Sequence, residues 1–196
     1  MKPEISRVAI ALSGGVDSSV AAALLVENGY DIFAVMMRLW STSSDSPNRC
    51  CTEKDVAVSR SVASLLDIPF FEIDMKAPFK QKVVDPFTDA YIRGIIPNPC
   101  LICNRTLRWG YLLERVHDMG ASHLATGHYA RIERFKTEYR LLRGKDPTKD
   151  QSYVLSMLQQ SDLSYTIFPI GELSKSEVRQ HARRLKLSVA EKPDSQ

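Results

Sequence analysis

Apolar and polar positions in this chain switch repeatedly between the strand and helix periods. Val8-Ala9-Ile10-Ala11-Leu12 is an unbroken apolar run, the pattern of a short strand buried on both faces. Ser19 to Asn28 is rich in strong helix formers and ends at Gly29, a residue suited to a helix C-terminus. Ile32 to Leu39, Pro69 to Ile73 and His123 to Ala125 predict three further strands. Between them a Thr52–Asp55 capping box opens a helix with Val58, Val62 and Leu65 on one face. Phe79 to Ile92 reads as helical, with Pro86 interrupting it or starting a piece of it. Gly94 to Asn104 reads as a loop, after which Thr106 caps a helix whose apolar face is Trp109, Leu112, Leu113 and Val116, closed by Gly120.

Trp40 to Asn48, rich in Ser, Asp and Pro, predicts a second loop, and Arg131 to Arg143 a hairpin. A Ser174–Glu177 capping box starts the last helix, with Val178, Ala182 and Leu185 inward. Strands separated by helices predict an α/β fold, a doubly wound and mainly parallel Rossmann-like sheet with its ligand outside the carboxyl ends of the strands. Ser13, Met37 and Gly127 all fall at or just past such ends. With no internal repeat, low-complexity run or linker, the 196 residues read as one domain.

The first of those ends carries Ser13-Gly14-Gly15-Val16-Asp17-Ser18. Two glycines let the backbone approach a ligand, and the helix behind them offers unpaired N–H groups and a positive dipole end, which together suit an anion such as phosphate. The plain alternative is a tight turn with a serine cap. It is not a Walker A loop, because Gly144-Lys145 is followed by Asp146 rather than Ser or Thr. Asp17 would repel phosphates unless it bound a magnesium ion or pointed away, so Mg²⁺ is expected.

Charge adds one feature. Between Arg131 and Asp150 seven basic residues face four acidic ones, a surplus that equals the whole chain's +3. Either a solvated strand pair or a polyanion contact accounts for it. No apolar span is long enough to cross a bilayer and the N-terminus does not resemble a signal peptide, so the expected location is cytoplasmic, without a membrane. In that setting Cys50, Cys51, Cys100 and Cys103 point to metal or redox chemistry before disulfides. Adjacent Cys50 and Cys51 are poorly spaced for a closed Cys₄ zinc site, and a buried thiol is the simple reading for at least one of them. A Cys-x-x-Cys pair ahead of a helix favours thiolate, so Cys103 is a candidate reactive cysteine.

Five stretches occur in the order found in tRNA-specific 2-thiouridylases, a family of PP-loop ATPases. They are Ser13–Ser18, Asn98–Asn104, Ala125-Thr126-Gly127-His128-Tyr129-Ala130-Arg131, Lys149-Asp150-Gln151-Ser152-Tyr153 and Lys192–Gln196. The resemblance spans nearly the whole chain. It implies ATP-dependent adenylation of the C2 oxygen of the wobble uridine, followed by sulfur transfer from a cysteine persulfide, with tRNA and a persulfide donor protein as partners. It places ATP on Ala11, Leu12, Ser13, Gly14, Gly15, Val16, Asp17 and Ser18, with Met37 and Gly127 at the adenosine side. Cys103 would be the catalytic nucleophile and Asp17 a second catalytic residue. Asn98, Pro99 and Cys100 would face the target base, and His128, Lys149, Asp150 and Gln151 the tRNA.

Two departures from the family qualify that picture. Cys100 stands where its best-known form has aspartate, and the form with cysteine resembles thiolases that hold a [4Fe–4S] cluster on three cysteines. Cys100 and Cys103 would supply two of them, and persulfide and cluster compete for Cys103. The family's second catalytic cysteine follows the Asp194-Ser195-Gln196 tripeptide, with central and β-barrel domains beyond, so residues 1–196 are expected to be the ATP-binding catalytic domain of a longer protein. Two other readings stay open: a different adenylating PP-loop synthetase acting on a small molecule, and a non-catalytic nucleotide- or tRNA-binding piece.

Overall fold

The computed structural model describes residues 6–39 and 52–193. The Trp40–Asn48 loop, Cys50, Cys51 and the Asp194–Gln196 tripeptide lie outside those residues.

Five parallel strands form the central sheet in the order β3-β2-β1-β4-β7, as expected for a doubly wound fold. They are β1 (Val8–Ala11), β2 (Ile32–Arg38), β3 (Phe70–Asp74), β4 (His123–Thr126) and β7 (Thr166–Ile167). A separate antiparallel hairpin pairs β5 (Ala130–Phe135) with β6 (Glu138–Arg143), and a short helix, α7 (Gln160–Ser164), leads into β7. Strand side chains alternate between faces, and both faces are covered. Val8 and Ile10 of β1, with Ile32 and Ala34 of β2, pack beneath the helices α1 (Val16–Glu27) and α8 (Lys175–Arg184). Ala9, Phe33, Val35 and Met37 turn the other way, onto Leu107, Trp109, Leu112 and Val116. The chain order reverses between β1 and β4, the two strands that start from the centre and run to opposite edges. The crevice between their carboxyl ends is where such folds hold ligands.

The capping boxes form as predicted. Thr52 accepts from the Asp55 N–H and opens α2 (Glu53–Leu65), while Ser174 does the same with Glu177 for α8. The buried stripe of α2 is Val56, Ser59, Val62 and Ala63; of the expected face Val62 is buried and Val58 packs against the core, and the third residue is corrected. Leu65 lies in solvent, and the neighbouring Leu66 packs against the core in its place. Gly29 and Gly120 both close their helices with left-handed backbone.

Two larger differences concern helix starts. Residues 76–92 are helical throughout, as α3 (Lys76–Phe79), a π-helical turn (Lys80–Val84) and α4 (Asp85–Ile92). The wide turn directly precedes Pro86, whose missing N–H an α-helical ladder would leave as a gap. The predicted loop up to Asn104 is shorter than expected. Asn98 caps a new helix through the Cys100 N–H at 2.9 Å, with Pro99 in its first turn. That helix runs through α5 (Pro99–Ile102), a π-helical stretch (Cys103–Leu112) and α6 (Leu113–Asp118), so both cysteines are helical. Thr106 is therefore not a cap: it lies inside the helix and its hydroxyl donates to the Ile102 carbonyl at 2.7 Å.

The two-residue strand β7 left no hydrophobic pattern, and a polar chain fixes it. Trp109 Nε1 donates to Thr166 Oγ1 at 2.6 Å, and that hydroxyl donates to the Asp162 carbonyl at 2.6 Å. Both bonds are buried. Thr166→Val keeps the shape but strands the indole N–H and the carbonyl, and should cost about 2 kcal/mol in a urea melt. A loss below about 0.5 kcal/mol would show that β7 is held by packing alone.

Candidate functional site

The loop after β1 is built as an anion cradle. Leu12 still donates to the Val35 carbonyl at 2.8 Å, and the chain then turns at Gly14 with φ of +72°. A Cβ there would stand 2.9 Å from the Asp55 carbonyl, so the glycine serves both conformation and close packing. Gly15 is the N-cap of α1 and supplies no side-chain cap, which leaves the first N–H groups of a 12-residue helix facing the crevice. The serines brace the turn instead of capping it. Ser18 Oγ accepts from the Ser13 N–H at 3.2 Å and donates to the Gly15 carbonyl, where Ser19 Oγ also donates at 2.8 Å. From across the switch point Gly127 presses on the same turn: a Cβ on it would lie 2.6 Å from the Ser18 nitrogen. Met37 is buried at the end of β2.

Asp17 does not point into this cradle as a bare carboxylate. Lys175 Nζ, at the start of α8, lies 2.8 and 2.9 Å from its two oxygens, and the buried Tyr129 donates its hydroxyl at 2.7 Å. A second lysine reaches the loop from the chain's other end. Lys192 Nζ donates to the Gly14 carbonyl at 2.8 Å and to Asp55 Oδ1 at 2.7 Å. Burial raises the Asp55 carboxyl, but the Lys192 ammonium and the Thr52 donors outweigh it and hold it below the usual carboxylate range.

This donor set fits ATP better than a protein-held metal. Among the described residues no group of three or more His, Cys, Asp or Glu could hold an ion, and Asp17, the expected magnesium ligand, is engaged by Lys175. Cys100 and Cys103 are two thiols where a cluster needs at least a third, so the described residues do not make a [4Fe–4S] site.

The cysteine helix is tied to the cradle by a polar chain. Cys100 is exposed and Cys103 half-buried, one turn apart on the same helix face. Next to Cys103, Asn104 is buried and donates to the Val154 carbonyl at 3.0 Å. Arg108 Nη1 donates to Asn104 Oδ1 at 2.5 Å and lies 3.3 Å from His128 Nε2, while His128 Nδ1 lies 2.8 Å from Thr126 Oγ1. Since Arg108 can only donate, His128 accepts at Nε2 and carries its proton on Nδ1. Burial, reinforced by the Arg108 guanidinium, holds that imidazole well below its ordinary range. The Trp109 and Phe168 rings flank it, with centroids 5.8 and 6.1 Å away.

The Lys149–Gln151 segment packs inward more than the sequence suggests. Gln151 Oε1 accepts from the Tyr129 N–H at 3.0 Å, and its own N–H donates to the Tyr129 carbonyl at 2.9 Å. Asp150 accepts from the N–H groups of Gly144 and Ser152 and from the Ser152 hydroxyl. Asn98 uses its side chain as the helix cap. Lys175, Lys192, Tyr129, Asp55 and Arg108 took no functional role from sequence patterns. Each acts on a residue far away in the chain, and Ser174-Lys175 carried only a helix-start signal.

A parallel α/β sheet with a glycine-bounded cradle at its switch point defines a Rossmann-like nucleotide-binding domain. Residues 6–196 match the model of the tRNA methyl transferase HUP domain, and the chain belongs to that family. It is 46% identical over 197 residues to the tRNA-specific 2-thiouridylase MnmA 2 of Thermoanaerobacter pseudethanolicus, covering 97% of this chain and 54% of that protein. To the tRNA-specific 2-thiouridylase MnmA of Rhodospirillum centenum it is 46% identical over 196 residues, covering 99% of this chain and 50% of that one. The chain thus spans about half the length of the curated relatives it matches. Among solved structures, a 4-thiouridine synthetase–RNA complex with bound ATP aligns with a TM-score of 0.63 at 18% identity, over 96% of this chain and 43% of that one. NMN synthetase from Francisella tularensis aligns with a TM-score of 0.59 at 19% identity, over 98% and 67%. These two likenesses concern the fold.

Gly127→Ala should weaken ATP binding at least about tenfold in calorimetry, because the new methyl must displace the first turn of α1. Unchanged affinity would place the nucleotide elsewhere. His128 gives a pH prediction. Its folded pKa lies below the ordinary 6.5, so below that value the unfolded chain takes up a proton that the folded site resists. Stability should therefore be full above pH 7 and fall as the pH drops through 6.5, with His123, also lowered, acting in the same direction. His128→Asn should flatten the dependence of the melting temperature between pH 7 and 5; an unchanged slope would assign it to other groups.

Proposed function

We propose that this chain is the ATP-binding catalytic domain of a tRNA 2-thiouridylase. ATP lies with its phosphates on Ser13–Ser18, against the N-terminus of α1, and with its adenosine between Met37 and Gly127. Mg²⁺ travels with the phosphates, not on a ligand set of the protein. The C2 oxygen of a wobble uridine attacks the α-phosphorus and pyrophosphate leaves. The terminal sulfur of a Cys103 persulfide then attacks C2 and AMP departs with its electron pair, leaving C2 joined to Cys103 through an S–S bond. The family's second cysteine, beyond the Asp194-Ser195-Gln196 tripeptide, attacks the Cys103 sulfur of that bond. The outer sulfur stays on C2, and the two cysteines are left as a disulfide for a thiol reductant to reopen. The persulfide comes from a donor protein. Adenylation turns a poor leaving oxygen into a good one, which is why an ATP cradle and a thiol belong in one site.

One observation carries this reading. Arg108 joins the cysteine helix, at Asn104, to His128, the residue beside Gly127 in the cradle. The two halves of the chemistry are therefore built on one rigid connection, and the relatives' printed names agree with it. A wobble base lies in a loop and can be turned out of its stack into such a pocket. Asn98, Pro99 and Cys100 would face that base, Lys149 the tRNA backbone, and His128, Asp150 and Gln151 would shape the surface the RNA meets. A persulfide needs only one thiol on the protein, and the resemblance gives that role to Cys103, so the persulfide is the form we favour.

Cys103→Ser should abolish 2-thiouridine formation in the full-length protein, read by mass spectrometry of digested tRNA, while ATP affinity stays within about twofold. Thiolation at the parental rate would remove Cys103 from the reaction. Pyrophosphate release that needs a small amide or acid substrate, and not tRNA, would move the chain to another class of adenylating synthetase.

A further inference from the structure

The segment Gly144–Gln151 touches both partners of Asp17. One arm is Gln151, whose side chain and backbone hold Tyr129 from two sides. Gly144 closes on the same residue so tightly that a Cβ would stand 2.8 Å from the Tyr129 carbonyl oxygen. The tyrosine hydroxyl, buried with the ring, then donates to Asp17 Oδ1. The other arm is Asp146. Its Oδ2 accepts from the Lys175 N–H at 2.9 Å, which fixes the start of α8 and with it the lysine that spans both oxygens of Asp17. The ammonium also sits 5.9 Å from the Tyr129 ring centroid, so the two arms meet at the carboxylate. Asp146 and Asp150 stiffen the segment between the arms. Asp146 Oδ1 accepts from Thr148 twice and Asp150 from Gly144 and Ser152.

We propose that Tyr129 and Gln151 are positioning residues for the ATP loop, and that the Gly144–Gln151 segment makes the adenylation step depend on how that segment is held. In the Ser13–Ser18 cradle Asp17 is in the first turn of α1, the turn whose N–H groups face the phosphates. The bonds to its carboxylate anchor that turn against Tyr129 and Lys175. Three bonds fix its orientation, and all three trace back to one segment more than a hundred residues later. Under the thiouridylase reading, on which this inference rests, the same segment lies under the RNA. RNA contact at Lys149 would then be felt at the ATP loop through Tyr129 on one side and Lys175 on the other. The two-way hold on residue 129 makes that route stiff, and stiffness is what carries a displacement.

The test is a double-mutant cycle on pyrophosphate release by the full-length protein with ATP and tRNA. Asp17→Asn keeps the shape but removes the charge, and Tyr129→Phe removes only the hydroxyl. Tyr129→Phe should lower kcat about tenfold or more, the size of a hydrogen bond to a charged group, with the KM for tRNA little changed. In the Asp17→Asn background the same change should cost clearly less, because the amide oxygen that remains accepts only the weaker bond of an uncharged group. A merely structural tyrosine would give losses that multiply, and that result overturns the proposal. Gln151→Ala, which leaves the tyrosine in place, should reproduce the kcat loss in weaker form. If Tyr129→Phe melts early, Gln151→Ala in the two backgrounds decides, and an unaltered kcat overturns the proposal. If Asp17→Asn itself leaves pyrophosphate release untouched, the ATP-loop reading fails first; if Asp17→Asn matters and both positioning variants are silent, only the positioning role fails.

Discussion

The ion pair of Asp17 with Lys175 closes the molecule. It joins the first helix to the last across 158 residues of chain, and the Tyr129 hydroxyl makes the junction three-way. Lys175 is mostly shielded, with 13% of its side chain exposed, and Asp17 keeps 29%. A pair this far from solvent is held by its partners, since either charge left alone would face a poorly hydrated surface. The rest of the site follows from that closure. α8 packs beside α1, Lys175 can reach the loop only from the start of α8, and Tyr129 can reach it only because Gly127 lets β4 end against the first turn of α1. A Cβ at residue 127 would separate the two halves of the crevice.

Much of the fold is legible in the sequence because its strands are short, apolar and buried on both faces, and its caps are local. Gly29, Thr52–Asp55 and Ser174–Glu177 each write a boundary within a few residues, and all of them form. Three features are not legible for physical reasons. Asn98-Pro99 is a good helix start, but the cysteines, prolines and glycine around it resemble a loop. β7 is two residues long, too short for any period, and exists because Thr166 completes the hydrogen bonds of Trp109 and Asp162. The face of α2 includes the buried Ser59 and Ala63, so a search for large apolar side chains finds Val58 and Val62 but takes Leu65 in place of Leu66.

The candidate site divides the same way. The loop Ser13–Ser18 announces itself because phosphate cradles need glycine and a helix start in adjacent positions. The residues that brace it do not, because each contributes a single long-range bond. Lys175 lies in a capping box and Lys192 near the end of the chain, with nothing in the neighbouring residues to say that both reach the cradle. The family resemblance gives Asp150 and Gln151 to the tRNA. Their hydrogen bonds go inward, since a segment that turns this sharply at Gly144 has backbone N–H groups to satisfy.

The electrostatics of the cradle run against the simplest expectation for a polyphosphate site. No P-loop lysine follows the glycines in the sequence, and the structure brings two lysines to the loop from elsewhere. Each arrives with a carboxylate already on it: Lys175 on Asp17 and Lys192 on Asp55. Their charges cancel in pairs, so among the described residues any attraction for phosphate would rest on the uncapped N–H groups of α1 and on its dipole, which act over about one helical turn. A site of that kind discriminates by geometry more than by charge. It would hold a polyphosphate whose oxygens meet several N–H groups at once, and it would gain little from a passing anion. The same balance explains the need for Gly14 and Gly127, since backbone dipoles act only where the backbone itself can approach. In this cradle the lysines set the shape of the loop, and the loop provides the field.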